Sequence, residues 1–284
     1  MPVSNAVPIK QRIGKLITYI VLTLVALYTL APLAFLFINS FKSHPEIVSS
    51  PIALPTNWDF SYIKEAVKAI HFFRALGITV LITVCSVALI VLVSSLAAWI
   101  MVRNKTKLSN VVLLMFTAAM LIPFQSVMYP LLSLFEKMGL KNMVGLIMMY
   151  GGFGLSMSVF LYHGFIKSVP TSIEEAAVID GANIIQLFFY VVFPLVKSTT
   201  ATVIILNSMW IWNDYLLPFL VIGNSEFKTL TLELYFAKIT SGQYGSPWEL
   251  IFPAVFVSII PIIIIFLYLQ KYIVKGVSDG AVKQ

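Results

Sequence analysis

Long apolar stretches separate the charged residues of this chain. Residues 16–41 lie between Lys15 and Lys42, 75–102 between Arg74 and Arg103, and 108–135 between Lys107 and Glu136. Residues 142–166 lie between Lys141 and Lys167, and 250–270 between Glu249 and Lys271; 198–225 hold one charge, Asp214. A helix needs about 20 mostly apolar residues to cross a bilayer, so six stretches are long enough. Their apolar residues run all round the helix instead of along one stripe, as lipid-facing or bundle-buried helices require. The pattern predicts an all-α polytopic membrane protein with six transmembrane helices. The first stretch is longer than the apolar region of a signal peptide and no clear cleavage site follows, so it reads as an uncleaved anchor.

Composition agrees with this. Of the 284 residues, 59% are hydrophobic and 11% charged, against about 25% charged in a soluble domain. So few charges cannot clothe a soluble surface of this size, which excludes soluble enzymes and nucleic-acid binders. The net charge of +7 reflects basic residues at span ends. Lys10, Arg12 and Lys15 precede the first span, Arg103, Lys105 and Lys107 separate the second and third, and Lys271, Lys275 and Lys283 follow the sixth. With six spans these groups fall on one side, and the positive-inside rule makes it the cytoplasm, with both termini inside. The single cysteine, Cys85, rules out an intrachain disulfide and a cysteine metal cluster. His44, His71 and His163 are scattered without paired spacing, so no metal site is expected.

Three divisions follow: 1–75, a cytoplasmic N-terminus, first span and external segment; 76–270, the core; and 271–284, a cytoplasmic tail. Within the external segment, Phe60 to Phe73 has helical apolar spacing. Pro123 is expected to kink the third span, and Gly145, Gly151, Gly152 and Gly154 to let the fourth pack closely. The cytoplasmic loop 167–197 is the most informative segment. Pro170 stops the preceding helix, and Thr171 with Glu174, or Ser172 with Glu175, has capping-box spacing. Gly181 can take the left-handed conformation that ends a helix. A second helical stretch, Ile184 to Phe193, ends at Pro194. The loop reads as helix, sharp turn, helix. Ala176 and Ala177 would let another surface approach closely, and Glu175 and Asp180 could face basic groups on a partner; a capped, solvated connector is the plainer alternative.

The run Glu175-Ala176-Ala177, three residues, Gly181, nine residues, Val191-x-Phe193-Pro194 resembles the signature of bacterial ABC importer permeases. Val191 and Phe193 depart from the family's Ile and Leu but stay apolar. Asp180-Gly181-Ala182, Trp212-Asn213-Asp214-Tyr215 and the tail Lys275 to Lys283 are similar to the carbohydrate branch, the maltose-type second permease subunit. The resemblance covers the chain from about residue 72 onward. It implies a type I ABC importer permease fold and coupling to an ATPase through Glu174, Glu175, Ala176, Ala177, Asp180 and Gly181. It also implies tail contact with the ATPase through Gly276, Gly280 and Lys283. The implied partners are a second, different permease subunit, two ATPase subunits, an extracytoplasmic sugar-binding protein, a sugar and membrane lipid.

The chain has no Gly-x-x-x-x-Gly-Lys-Ser/Thr loop to cradle phosphates. No cofactor is expected on it, and ATP would be hydrolysed by the partner ATPase. Asp214, the only acid within a span, should face protein or water rather than lipid. Two readings stay open for it and Asn213: the translocation path or gate, or a structural pair with a neighbouring helix or subunit. A secondary transporter would need several intramembrane charges, and a membrane enzyme a cluster of acids, histidines or a nucleophile; neither pattern is present. The remaining alternative is an ABC permease for another solute, such as glycerol phosphate.

Overall fold

A computed structural model describes residues 9–223, 225–241 and 247–281, and all the regular structure among them is helical. The chain divides into two compact units, one of residues up to Ala69 with Ala237–Val257, the other of Ile70–Phe236 with the residues from Ser258 onward.

The first unit begins with α1 (Ile9–Asn39), whose large apolar side chains from Ile13 to Leu33 are exposed. The chain then turns sharply into α2 (His44–Ser49), where Pro45 occupies the first turn and needs no backbone donor. Two buried polar side chains hold the turn: Asn39 Nδ2 donates to the Pro51 carbonyl at 2.9 Å, and Lys42 Nζ to that of Ser50 at 2.8 Å. Aromatic rings fill the space beside it, Phe41 meeting Trp58 and Phe60 at 5.1 Å and Phe37 meeting Phe256 at 5.5 Å. Next comes α3 (Ser61–Ala69). The expected helix from Phe60 to Phe73 is therefore interrupted: His71 has φ 45° and breaks the register, so Phe72 and Phe73 open the following helix.

The second unit is built on α4 (Phe72–Arg103), 32 residues and about 48 Å long. It is followed by α5 (Lys107–Ala119), α6 (Phe124–Lys137) and α7 (Met143–Ile166). The main seam is α4 against α7, with Ile82, Ile90 and Ala98 of α4 and Leu146, Tyr150 and Val159 of α7 fully buried. A Cβ on Gly154 would collide with Ile90 and with Asn207 Oδ1, so the expected role of glycine in close packing holds there. It does not hold at Gly152, where a Cβ would meet nothing.

The third apolar stretch is not one kinked helix. Its two helices, α5 and α6, meet at 106°, with Pro123 extended before α6. At 13 and 14 residues each is too short to cross a bilayer alone. The connection after α7 holds α8 (Thr171–Ile179), α9 (Ile184–Gln186), a π-helical turn Leu187–Val192, and α10 (Phe193–Leu195). The wide turn precedes Pro194, which has no N–H to offer the preceding helix. Then comes α11 (Lys197–Asn213), bent by 77° from the segment before it. The fifth apolar stretch is likewise broken: Asp214 is extended, and α12 (Leu216–Ile222) restarts the helix. The last helices are α13 (Leu230–Ser241) and α14 (Trp248–Ala281). Four helices are long and apolar enough to span, and the number reaches six when each bent pair counts as one span.

The segment expected as a separate tail continues α14 as far as Ala281. Gly276 and Gly280 therefore lie in helical backbone and not in a bent path, because the intervening polar residues tolerate helix. Lys283 lies outside the described residues.

Candidate functional site

The loop that bears the permease-like signature forms a braced helix. Its start differs from expectation. Pro170, extended at ψ 135°, takes the N-cap position of α8, and no side chain caps the helix. The capping box belongs instead to α9: Asn183 Oδ1 accepts from the Gln186 amide at 2.9 Å, and Gln186 Oε1 accepts from the Asn183 amide at 2.9 Å. The signal, Asn followed three residues later by Gln, was present in the sequence.

The end of α8 is as the sequence indicates. Gly181 has φ +87°. The Ala182 amide donates to the Ala177 carbonyl and that of Gly181 to Val178, both at 3.0 Å. This paired closure is the Schellman arrangement, which needs a left-handed residue. The two caps stand side by side, so the chain reverses between α8 and α9 within a few residues.

Helical spacing sorts the signature residues onto two sides. Glu174 is buried and Ala177 half-buried against the core. Glu175, Ala176, Asp180 and Gly181 are exposed. The buried acid is fully engaged: Arg103 donates to its Oε1 from Nε at 2.9 Å and from Nη2 at 2.6 Å, and Trp99 Nε1 donates to Oε2 at 3.0 Å. Arg103 Nη2 also donates to the Val169 carbonyl at 3.2 Å, and Trp99 packs on Phe188 at 5.4 Å. Glu174 thus departs from its expected place among the surface residues: α4 holds it from within. Outside, Val178, Ile179, Ile184 and Ile185 stand between 55% and 85% exposed. Four large apolar residues beside two acids, on a rigid turn, form a surface suited to a protein partner.

Asp214 lies at the break between α11 and α12. Its Oδ1 accepts from the Leu216 amide at 2.9 Å and its Oδ2 from the Tyr150 hydroxyl at 2.9 Å; its carbonyl accepts from Thr231 Oγ1 at 2.7 Å. The carboxylate ties α7 to the break, and the backbone carbonyl ties the break to α13. The bond to Tyr150 pairs Asp214 with α7, a neighbouring helix. Asn213 is exposed and donates to the Met209 carbonyl of its own helix at 2.7 Å. Trp210 and Tyr215 beside it are also exposed. A cavity of about 610 Å³ opens among α5, α6 and α7, lined by Met120, Met148, Met149, Phe153, Ser156 and their apolar neighbours. Among its lining side chains the only hydroxyl is that of Ser156, so it offers little to a sugar. Among the described residues no three His, Cys, Asp or Glu side chains stand together as metal ligands.

Long and broken apolar helices, four to six of them able to span, define a membrane-embedded protein. The pattern of the binding-protein-dependent transport system inner membrane component family matches residues 90–279, and the chain belongs to that family. It is thus a multi-pass inner-membrane protein of a family of transport components, not of enzymes. Membership implies an ATPase and a substrate-binding protein as partners. The chain is 38% identical, over 95% of its length and 97% of the other's, to a probable starch degradation products transport system permease of Thermoanaerobacterium thermosulfurigenes. It is 35% identical to a multiple sugar-binding transport system permease of Streptococcus mutans, over 96% and 99% of the two chains. Against a melibiose/raffinose/stachyose import permease of Bacillus subtilis the identity is 33%, over 89% and 91%. The fold matches a chain of a bacterial ABC transporter involved in alginate import with TM-score 0.80, at 23% identity over 95% and 99% of the two chains.

Proposed function

We propose that this chain is one permease subunit of an ATP-driven, binding-protein-dependent carbohydrate importer, with an oligosaccharide as cargo. The observation that carries the reading is the braced turn of α8: an exposed apolar and acidic surface held rigidly on the end of a membrane bundle. A helix seated in a partner's groove transmits domain closure, whereas a loose loop would absorb it. Glu175, Ala176, Asp180 and Gly181 would meet the ATPase with Val178 and Ile179, and Glu174 and Ala177 would seat the helix. The kinship to permeases for starch products and for raffinose-type sugars supports a carbohydrate.

Arg103 bonds α8 directly, so α8 shares one end of the bundle with the basic run Arg103, Lys105 and Lys107. The positive-inside rule supports a cytoplasmic placement for that end, with both termini inside. A second, different permease would complete the pathway, two ATPase copies would bind and hydrolyse ATP, and an external sugar-binding protein would deliver cargo. Asn213, with Trp210 and Tyr215, has the exposed amide and aromatic chemistry that sugars use, and is the candidate path residue on this chain. The C-terminal end, with Gly276, Gly280 and Lys283, would reach the ATPase. The test is expression with the cognate ATPase, second permease and binding protein, followed by co-purification and uptake of labelled maltotriose and raffinose. Co-purification with uptake of either sugar is expected; failure of the ATPase to co-purify refutes the docking reading.

A further inference from the structure

The same braced turn points to the membrane helix that receives the ATPase's motion. The inference rests on the docking reading and extends it to one helix. Glu174 and Arg103 are both withdrawn from solvent, at 9% and 20% side-chain exposure. Withdrawing two charges costs several kcal/mol unless close hydrogen bonds satisfy them, and apolar residues of the same size would hold α8 in place about as firmly. What an ion pair adds is direction. The carboxylate takes two donors from Arg103 on one oxygen and the indole of Trp99 on the other. Arg103 also reaches the Val169 carbonyl just before α8, and Trp99 meets Phe188 just after α9. The last turn and a half of α4 therefore grips both flanks of the docking helix and its middle. Neither tilt nor rotation of α8 relative to α4 is possible without breaking these bonds.

Toward its other end α4 makes a second directed contact: Thr79 Oγ1 accepts from the Leu230 amide at 2.9 Å, at the start of α13. The next residue, Thr231, bonds the Asp214 carbonyl within the knot that includes Tyr150. Two unbroken helices thus run between the docking turn and the Asp214 knot, α4 and the α7 packed on it, whereas both α5–α6 and the segment leading into α11 are bent; of the two, α4 is the one whose side chains grip α8 itself. We propose that Trp99, Arg103 and Glu174 latch α8 to α4 so that the two move as one body, making α4 the lever that carries the ATPase's closure through the bundle to the Asp214 knot. The three are positioning residues, acting through α8 and not on cargo.

The test uses the assembled importer with spin labels at Ile100→Cys on α4 and Ile173→Cys on α8, both exposed positions outside the docking residues, in a Cys85→Ser background. Their separation is measured without nucleotide and with ATP and vanadate. The expected result is a narrow distribution that does not shift between the two states. In Glu174→Gln and Arg103→Lys, which keep shape but lose the charge or the fork, that fixed separation is lost and the distribution widens or shifts with nucleotide. A separation that shifts with nucleotide in the otherwise unaltered protein overturns the latch, as do variants that keep it narrow. If the ATPase fails to assemble on the unaltered permease, the docking reading falls and takes the latch with it; a shifting separation in an assembled complex removes the latch alone.

Discussion

Arg103→Ala perturbs the structure at a place where its cost can be worked through. The change removes two donors to Glu174 and one to Val169. Glu174 then keeps a charge at 9% exposure with only the Trp99 indole in contact. Removing one partner of a buried pair costs about 3–5 kcal/mol, because the other charge is left uncompensated. Arg103 is one-fifth exposed, which lets water reach the cavity and places the cost toward the lower figure. The damage should be local, since the α4–α7 seam is apolar and does not pass through Arg103. Hydrogen exchange of the detergent-solubilised protein reads it directly: at about 1.4 kcal/mol per factor of ten, amides of α8 should lose on the order of 100-fold in protection, with those in the middle of α7 unchanged. Arg103→Met combined with Glu174→Leu should restore most of that protection, because no charge is stranded. Unchanged α8 exchange in Arg103→Ala, or a double variant as damaged as the single one, would refute the buried-pair reasoning.

Gly181→Arg should reach the membrane at normal abundance yet abolish uptake. A Cβ there meets no atom, so the intrinsic penalty is the left-handed backbone at φ +87°, about 1–2 kcal/mol; normal uptake at normal abundance would refute docking at this turn. Glu175→Lys, on the exposed side of α8, should lower uptake without altering thermal stability, and a matching loss of stability would show that it packs inward. Tyr150→Phe withdraws the hydroxyl that donates to the Asp214 carboxylate and should cost about 1–3 kcal/mol, seen as a lower Tm; an unchanged Tm would show that the knot is not holding α7. Reporter fusions after residues 106 and 180 should read cytoplasmic and those after 55 and 240 external, and an external signal at 180 would remove both topology and docking. Deleting 277–284 should leave insertion intact and reduce transport; full transport by the assembled truncation would show the C-terminal end to be dispensable.

Some of this was legible in the residues and some was not. Six apolar stretches and their basic flanks announced a polytopic membrane protein, because the cost of placing charge in hydrocarbon is a local property of each segment. Gly181 could be placed in a left-handed turn for a similarly local reason, since other side chains resist that backbone. The spacing of Glu175, Ala176, Ala177 and Gly181 pointed to the family to which the chain belongs. α8 starts at Thr171 as its capping chemistry suggested, but the cap was misread, because Pro170 already holds the chain extended at that point; the real box, at Asn183 and Gln186, has the same spacing three turns later. Glu174 looked like one more surface acid beside Glu175. Which of two adjacent acids turns inward depends on where Trp99 and Arg103 lie, some seventy residues away in sequence. The breaks at Pro123 and Asp214 have the same origin. An apolar window reports that a segment avoids water, but whether it runs straight depends on the helices against which it packs and on who accepts the hydrogen bonds at the break. Local chemistry therefore determined that this chain spans a membrane and turns sharply at Gly181. Tertiary packing alone decided that α8 is held by α4, that the Asp214 carboxylate bonds Tyr150, and that two pairs of helices are bent, because each depends on partners distant in sequence.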